Sequence, residues 1–467
     1  MGGQRRLVVI GGVAGGATAA SKARRCCPDA VIEIYDQDRH ISYAGCGLPY
    51  FLGGLSPNWR KVIAREPQQF KERQYINVHL RHRVEAIDVD NKAISITDLE
   101  AGKKFRREYD TLIMATGAVP IMPNVPGKDL EGVFVLRTLS NALEIKSFLD
   151  LNPPGKVTII GAGSIGLDMC EALRRFEIEV DLIEAADHVL PHLEAGMSGH
   201  IRQHVEQNGV TVYLGSELRA MEGSNGKVKK VITSGGDIET DMVLVCIGVA
   251  PQTELAKQTG IELGAKGAIK VDGYMRTSKQ DILACGDCVT TYNYVSGKES
   301  WIPLGSTSRK QGRTAGNTFA GTDYPFPGVQ ATFITKVFDM TAGKTGITSS
   351  EAKQSGIEAE DLFLSDYSIP RYFPGGGEIK ACVTFEKSSG RLLGAEVVGD
   401  LAAGVDKRLD VFVVAIKAGL TANEMSNLDL AYSPPYSHPL DLPILAGNLG
   451  ESKILGKTCS CNSTGLE

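Results

Sequence analysis

A short buried-type strand, a glycine turn, a helix, a second strand and an acidic residue follow one another twice in this chain of 467 residues. The first copy reads as strand from Leu7 to Ile10, turn from Gly11 to Gly16, alanine-rich helix from Ala17 to Cys26, and strand from Val31 to Tyr35 ending at Asp36. The second occupies Lys156 to Glu184, with Gly161-Ala162-Gly163-Ser164-Ile165-Gly166 between its first strand and its helix. A strand that turns on glycines into a helix and returns as a parallel strand is the dinucleotide-binding unit. Two copies require two dinucleotides and place the chain in the α/β class.

The length exceeds what one hydrophobic core serves, so two or three domains are expected. Charged residues make up 22%, and 50 basic against 55 acidic side chains leave a net charge of −5 without long blocks of either sign. Nucleic acid is therefore not an expected partner. The apolar run Leu7 to Ile10 is too short for a signal peptide or a membrane span, and no membrane partner is expected. Ten irregularly spaced cysteines do not form a disulfide framework, which points to a reducing cytoplasm.

Pro120, Pro123 and Pro126 mark a crossing after a strand that ends at Ala115-Thr116-Gly117, and Gly248 and Pro251 mark a second crossing. The pattern predicts a first dinucleotide domain made of residues 1–118 and 246–328, with a second inserted at 119–245. From Phe333, strands rich in Thr, Val and Phe alternate with glycine turns, which predicts a separate α+β domain over 329–450 and a polar tail over 451–467. The tail holds Cys459 and Cys461.

In the second unit Gly161, Gly163 and Gly166 serve the tight turn, the close approach of a pyrophosphate and helix packing, and Ile165 lies between them. Glu184 is placed to accept from a ribose 2′-hydroxyl, and Ala185-Ala186 supply no arginine for a 2′-phosphate. NADH is favoured over NADPH. The first turn is less regular, with Val13 where the middle glycine would stand. Its context, Asp36, and the run Asp281 to Asp287, where Asp287 can meet a ribityl chain, assign it to FAD. Asp168 is either a helix N-terminal acid or, as the family resemblance given below implies, a carboxylate near the nicotinamide. Cys285 and Cys288 read as part of the flavin motif, and no cysteine set completes a metal site.

These ordered motifs, with Ser42-Tyr43-Ala44-Gly45-Cys46-Gly47-Leu48-Pro49-Tyr50, resemble the pyridine nucleotide-disulfide oxidoreductases from Leu7 to about Leu449. Within them the run is similar to the single-cysteine branch of coenzyme A-disulfide reductases and NADH-dependent persulfide or polysulfide reductases. The resemblance implies a flavoprotein homodimer in which electrons pass from NADH through FAD to a disulfide or persulfide at Cys46. It implies FAD contacts at Gly11, Gly12, Ala14, Gly15, Gly16, Asp36, Val84, Ala115, Thr116, Gly117 and Asp287, and NADH contacts at the second turn, Glu184 and Gly248. Coenzyme A contacts are implied at Thr18, Lys22, Arg25 and Ser42. Gly45 and Gln74 depart from that pattern, standing where an asparagine and a lysine are expected. Tyr372 and Tyr432 match tyrosines that reach the partner subunit's thiol as proton donor or clamp, with Tyr436 as a further candidate. Ser437-His438-Pro439 matches the histidine-proline pair of dithiol members without its surrounding motif. An NADH oxidase or peroxidase working through a sulfenic acid is the alternative chemistry, although Ala14 replaces the histidine of those enzymes. A non-enzymatic flavin and thiol sensor is the alternative from another class.

Overall fold

The computed structural model describes residues 4–454. Compact packing divides the chain into two units, Met1–Ile183 with Ser216–Tyr292 and Glu299–Val329, and Glu184–Gly215 with Asn293–Lys298 and the chain from Gln330 onward.

The first unit is built on a five-stranded parallel sheet. Its strand order is Ile282–Ala284, Thr111–Met114, Arg6–Ile10, Val31–Tyr35, Ile76–His79. Both faces are covered, so the central strand reads as a continuous apolar run and its alternate residues enter two cores. Leu7 and Val9 pack with Ala19, Ala20 and Ala23 of helix Gly15–Cys26 and with Ala315 and Phe319 of helix Gly305–Phe319. Val8 and Ile10 pack with Val84, Ile94 and Ile96 of a three-stranded antiparallel sheet. Strand Lys156–Ile160 lies between Glu179–Ile183 and Met242–Val245, and Met242–Val245 is flanked in turn by Val133–Val135, all parallel. The two expected crossings lie side by side, since Ala118–Pro120 and Val249–Pro251 pair antiparallel.

The second unit centres on an antiparallel sheet ordered Phe333–Val337, Met340–Gly346, Leu392–Asp400, Glu378–Glu386, Ala359–Tyr367. Helices Val405–Ala418 and Leu442–Ile454 contribute Leu409, Phe412, Leu442 and Ala446 to its core. The last helix runs to Ile454, past the expected domain end at residue 450. Cys459 and Cys461 lie outside the described residues.

Residues 184–215 group with the C-terminal sheet in this unit. Two buried charges of the sheet take partners from the first part of this segment. Lys344 Nζ donates to His192 O at 2.8 Å, and Glu396 Oε2 accepts from Glu194 N–H at 2.9 Å. Lys344 and Glu396 sit opposite each other on neighbouring strands, 5% and 3% exposed, so each needs a polar partner from the covering segment. Among the described residues no helix is long and apolar enough to cross a membrane.

Candidate active site

The first glycine turn is closed by contacts that exclude side chains. Gly11 has φ +96°, and a Cβ there would lie 2.2 Å from Ala115 O. A Cβ on Gly16 would lie 1.9 Å from Gly11 O. Gly12 answers to Ile41, whose Cγ2 would be 2.7 Å from the added carbon, and its N–H donates to Asp36 Oδ2 at 2.8 Å. Asp36 Oδ1 accepts from Asp38 N–H at 2.9 Å. Burial pushes the Asp36 carboxyl up to about 6 against the pull of these two donors, so further hydroxyl donors would favour its charged form. A glycine cradle beside a crowded strand-end carboxylate fits the ribose and pyrophosphate of FAD. Asp287 accepts from Ser308 Oγ at 2.6 Å and pairs with Arg137 Nη2. Thr116 Oγ1 donates to Gln252 O at 2.6 Å, Gly117 has φ +73°, and Val84 is buried.

The backbone of the first helix is approached closely by a late one. Helix Gly305–Phe319 crosses the first helix at small residues, where a Cβ on Gly312 would lie 2.3 Å from Gly15 O and one on Gly316 would lie 2.7 Å from Ala19 O. The Gly312-x-x-x-Gly316 spacing was the available sequence signal for this helix. Gln311 on the same helix accepts from Gly286 N–H at 3.0 Å through Oε1. It thereby fixes the turn carrying Asp287.

The second turn repeats the geometry. Cβ atoms on Gly161 and Gly166 would lie 2.6 Å from Cys246 O and 2.0 Å from Gly161 O. One on Gly163 would meet nothing within 4 Å. That open side, at the start of helix Ser164–Arg174, fits a pyrophosphate approaching the backbone. Ile165 is exposed, and Gly248 has φ +110° with open space beside it. Glu184 directly follows strand Glu179–Ile183, and its Oε1 accepts from Ala186 N–H at 2.9 Å.

Cys46 is an exposed thiol in the single turn Gly45–Gly47, ahead of helix Leu48–Leu52. Its segment is stitched to the first glycine turn, since Ser42 N–H donates to Gly12 O at 2.9 Å with Ser42 held at φ 50°. Ala44 N–H donates to Val62 O at 2.8 Å, and Ala64 N–H to Ser42 O at 2.7 Å. The far end of the short helix is fixed by Arg175 Nε donating to Gly53 O at 3.0 Å. Tyr50 lies between the two functional elements. Its phenol is pushed up first by burial and then by the charges of Asp168, Glu171 and Cys46. The fold thus brings the lone thiol, the first glycine turn and the second nucleotide helix into one neighbourhood.

Thr18 Oγ1 donates to Ala14 O at 2.7 Å, while Lys22 is half-buried and Arg25 exposed on the first helix. Among the described residues no ion pair involves Lys22, Arg25 or Arg65. Arg65 Nη1 donates to Ser21 Oγ at 3.2 Å and Gln74 Oε1 at 2.9 Å, which sets a cation beside the position where Gln74 departs from the expected lysine. Arg65, Arg137 and Ser308 carried no local motif and went unremarked in the sequence, and Tyr50 was read only as the end of the cysteine run. Cys285 and Cys288 are both fully buried with raised thiols, and Cys288 Sγ donates to Cys285 O at 3.4 Å. Tyr372 and Tyr432 lie in the second unit, 76% and 49% exposed. His438 Nε2 is buried without a hydrogen bond among the described residues.

Two family models cover nearly the whole chain. The pyridine nucleotide-disulphide oxidoreductase model matches residues 5–312, and the dimerisation domain of the same family matches residues 332–442. The chain belongs to the pyridine nucleotide-disulphide oxidoreductases. It is therefore an FAD-dependent oxidoreductase with a nicotinamide dinucleotide as second cofactor. Among this family, a Pyrococcus furiosus protein named NAD(P)H sulfur oxidoreductase (CoA-dependent) is 34% identical over 93% of this chain and 96% of its own length. A Methanocaldococcus jannaschii protein named NADH oxidase is 33% identical over 94% and 97%. The solved structure of a NAD-dependent persulfide reductase from A. fulgidus superposes with a TM-score of 0.93 at 37% identity, covering 97% of this chain and 84% of that one.

Proposed function

We propose that this oxidoreductase reduces disulfide or persulfide sulfur with electrons from NADH, through Cys46 as its single redox thiol. The observation that carries the reading is the hydrogen bond from Ser42 N–H to Gly12 O, which ties an exposed, unpaired thiol to the flavin turn. Asp36, Asp287 and the turn Gly11, Gly12, Ala14, Gly15 and Gly16 would hold FAD, with Val84 and Ala115 to Gly117 around it. Bound there, flavin supplies a two-electron carrier between nicotinamide and sulfur. Gly161, Gly163, Ile165, Gly166, Glu184 and Gly248 would hold NADH, with Glu184 favouring it over NADPH.

The Cys46 thiolate attacks one sulfur of R–S–S–R′, forming Cys46–S–S–R and releasing R′–S⁻. Two electrons then cleave the new bond and return the Cys46 thiolate with R–S⁻. With no second cysteine beside it in sequence, Cys46 takes its partner sulfur from the substrate, the tail cysteines Cys459 and Cys461 being the other source. Lys22, Arg25 and Arg65 lack carboxylate partners among the described residues, which supports a phosphate-bearing thiol such as coenzyme A disulfide or persulfide, with Thr18 and Ser42 as neutral contacts. Polysulfide uses the same thiol. A second copy of the chain would present Tyr372 and Tyr432 to this thiol in a homodimer. A three-domain division, 1–118 with 246–328, 119–245 and 329–450, matches these roles, and a reducing cytoplasm suits a thiol that must stay free.

Cys46→Ser tests the proposal. NADH-dependent turnover of coenzyme A disulfide and polysulfide should fall to background while bound flavin is retained. Undiminished turnover with both acceptors would overturn it. Loss of turnover with both acceptors, with NADH-to-oxygen flux already dominant in the unmodified enzyme, would favour the oxidase chemistry named for the M. jannaschii relative.

A further inference from the structure

We propose that Arg408 is a positioning residue that sets both tyrosine-bearing loops of the C-terminal domain for the sulfur half of the reaction. This rests on the reading of Tyr372 and Tyr432 given above. Arg408 is 2% exposed, in helix Val405–Ala418. Its planar fork is nearly saturated: Nε donates to Asp441 Oδ1 at 2.7 Å, Nη2 to Ser368 O at 2.6 Å, and Nη1 to Ala403 O and Gly404 O.

Two of these acceptors stand at the roots of the tyrosine loops. Ser368 N–H donates to Gly377 O at 2.9 Å and Gly377 N–H returns to Ser368 Oγ at 3.1 Å, closing a loop whose tip carries Tyr372. Asp441 ends the segment that carries Tyr432, Tyr436 and His438, and it caps the following helix by accepting from Leu442 N–H at 2.8 Å. That segment folds back on itself, with the buried Ser437 donating through Oγ to Ala431 O at 3.2 Å. One guanidinium therefore fixes the base of each loop while the tyrosines at the tips stay exposed.

A buried ion pair is a weak device for stability, since apolar side chains of similar volume often serve as well or better. What the fork supplies is fixed direction. Its donors leave in set directions to a carboxylate and to carbonyls, which an ammonium cannot reproduce. Arg408→Lys keeps the charge and can keep Asp441, but one nitrogen cannot also reach Ser368 O and Ala403 O. Loosening both roots should misplace groups that must meet a sulfur leaving group, and a displacement near 1 Å is worth about 100-fold in rate.

The experiment uses the flavin-loaded enzyme in rapid mixing, with coenzyme A disulfide as the probe. In Arg408→Lys, flavin reduction by NADH should keep its rate while reoxidation by coenzyme A disulfide slows by about 10- to 100-fold. Tyr372→Phe combined with Tyr432→Phe should slow the same step. Adding Arg408→Lys to that double variant should change little, as expected of residues acting as one unit. Wild-type reoxidation in Arg408→Lys beside a slow tyrosine variant would overturn the positioning role and leave the tyrosine reading standing. Equal slowing of both half-reactions would also overturn it, as would full additivity in the triple variant. Wild-type reoxidation in the tyrosine double variant would sink the tyrosine reading and this inference with it. If Arg408→Lys fails to retain flavin, Asp441→Asn must reproduce the selective slowing, and its absence there would overturn the proposal.

Discussion

Replacing Gly163 with alanine adds a methyl group to a turn that has room for it. Gly163 has φ −76° and ψ −178°, a backbone conformation alanine adopts freely, and its Cβ would meet no protein atom within 4 Å. By the unfolded-state argument the variant should be as stable as the parent or gain about 0.4–1 kcal/mol. The cost falls on the dinucleotide. A carbon on the open side keeps a pyrophosphate from the backbone N–H groups at the helix start, and a hydrogen bond to a charged group is worth about 1.5–3 kcal/mol. The apparent affinity for NADH should therefore fall by about 10- to 100-fold, since 1.4 kcal/mol is a factor of ten. Gly166→Ala is the contrast, because its Cβ would lie 2.0 Å from Gly161 O and the turn itself must shift. The measurements are the NADH dependence of flavin reduction and thermal unfolding, made on both variants. Parental NADH affinity in a stable Gly163→Ala protein would refute the assignment of this turn to pyrophosphate.

Glu184→Ala should raise KM for NADH by about tenfold, the loss of one hydrogen bond to a charged acceptor. It should also narrow the preference over NADPH, and an unchanged NADH/NADPH ratio of kcat/KM would remove Glu184 from the ribose site. Glu396 gives a pH test. Burial, opposed by Glu194 N–H and Lys344, lifts its carboxyl from 4.5 to about 7 in the folded chain. Its folded value exceeds its unfolded one, so its contribution is most favourable below 4.5 and is lost as pH rises through about 7. Glu396→Gln cannot ionise, keeps an acceptor for Glu194 N–H, and should gain up to about 3 kcal/mol over the parent above pH 7. Parallel urea-unfolding stabilities for the two proteins at pH 5 and pH 8 would exclude this role.

The elements that surround the nucleotides were legible because each announces itself in a short run of glycines and apolar residues. Glycines 11, 16, 161 and 166 each answer to a carbonyl in the same or an adjoining turn, and the apolar strands announce a sheet covered on both sides. The unread parts depend on partners far along the chain. Ser308, Gln311 and Arg137 matter through Asp287 and Gly286, and nothing within a few residues of any of them signals it. Arg65 acquires meaning only when it reaches Gln74 and Ser21. The contacts of His192 and Glu194 with the C-terminal sheet escaped for the same reason, since Lys344 and Glu396 look like ordinary strand charges until that segment reaches them. The irregular first turn was legible in outline, and its packing partners were not. A Cβ on Gly12 would meet Ile41 Cγ2 at 2.7 Å and one on Gly15 would meet Cys285 Sγ at 3.3 Å, so packing partners as well as a ligand bear on these two glycines.

The crossing of Gly15 with Gly312 also bears on how the protein is made. On the ribosome the first helix emerges with its small-residue face bare, and the strand that completes its sheet, Ile282–Ala284, comes only after the whole second dinucleotide unit. At about 5–20 residues per second the interval is roughly 15–60 s. During it the nascent chain holds a small-residue face, at Gly15, Ala19 and Ala23, whose partners Gly312 and Gly316 have not yet emerged. Chaperones that shield this face should therefore govern yield more than flavin supply does, and a stall before residue 305 should leave a product unable to retain flavin.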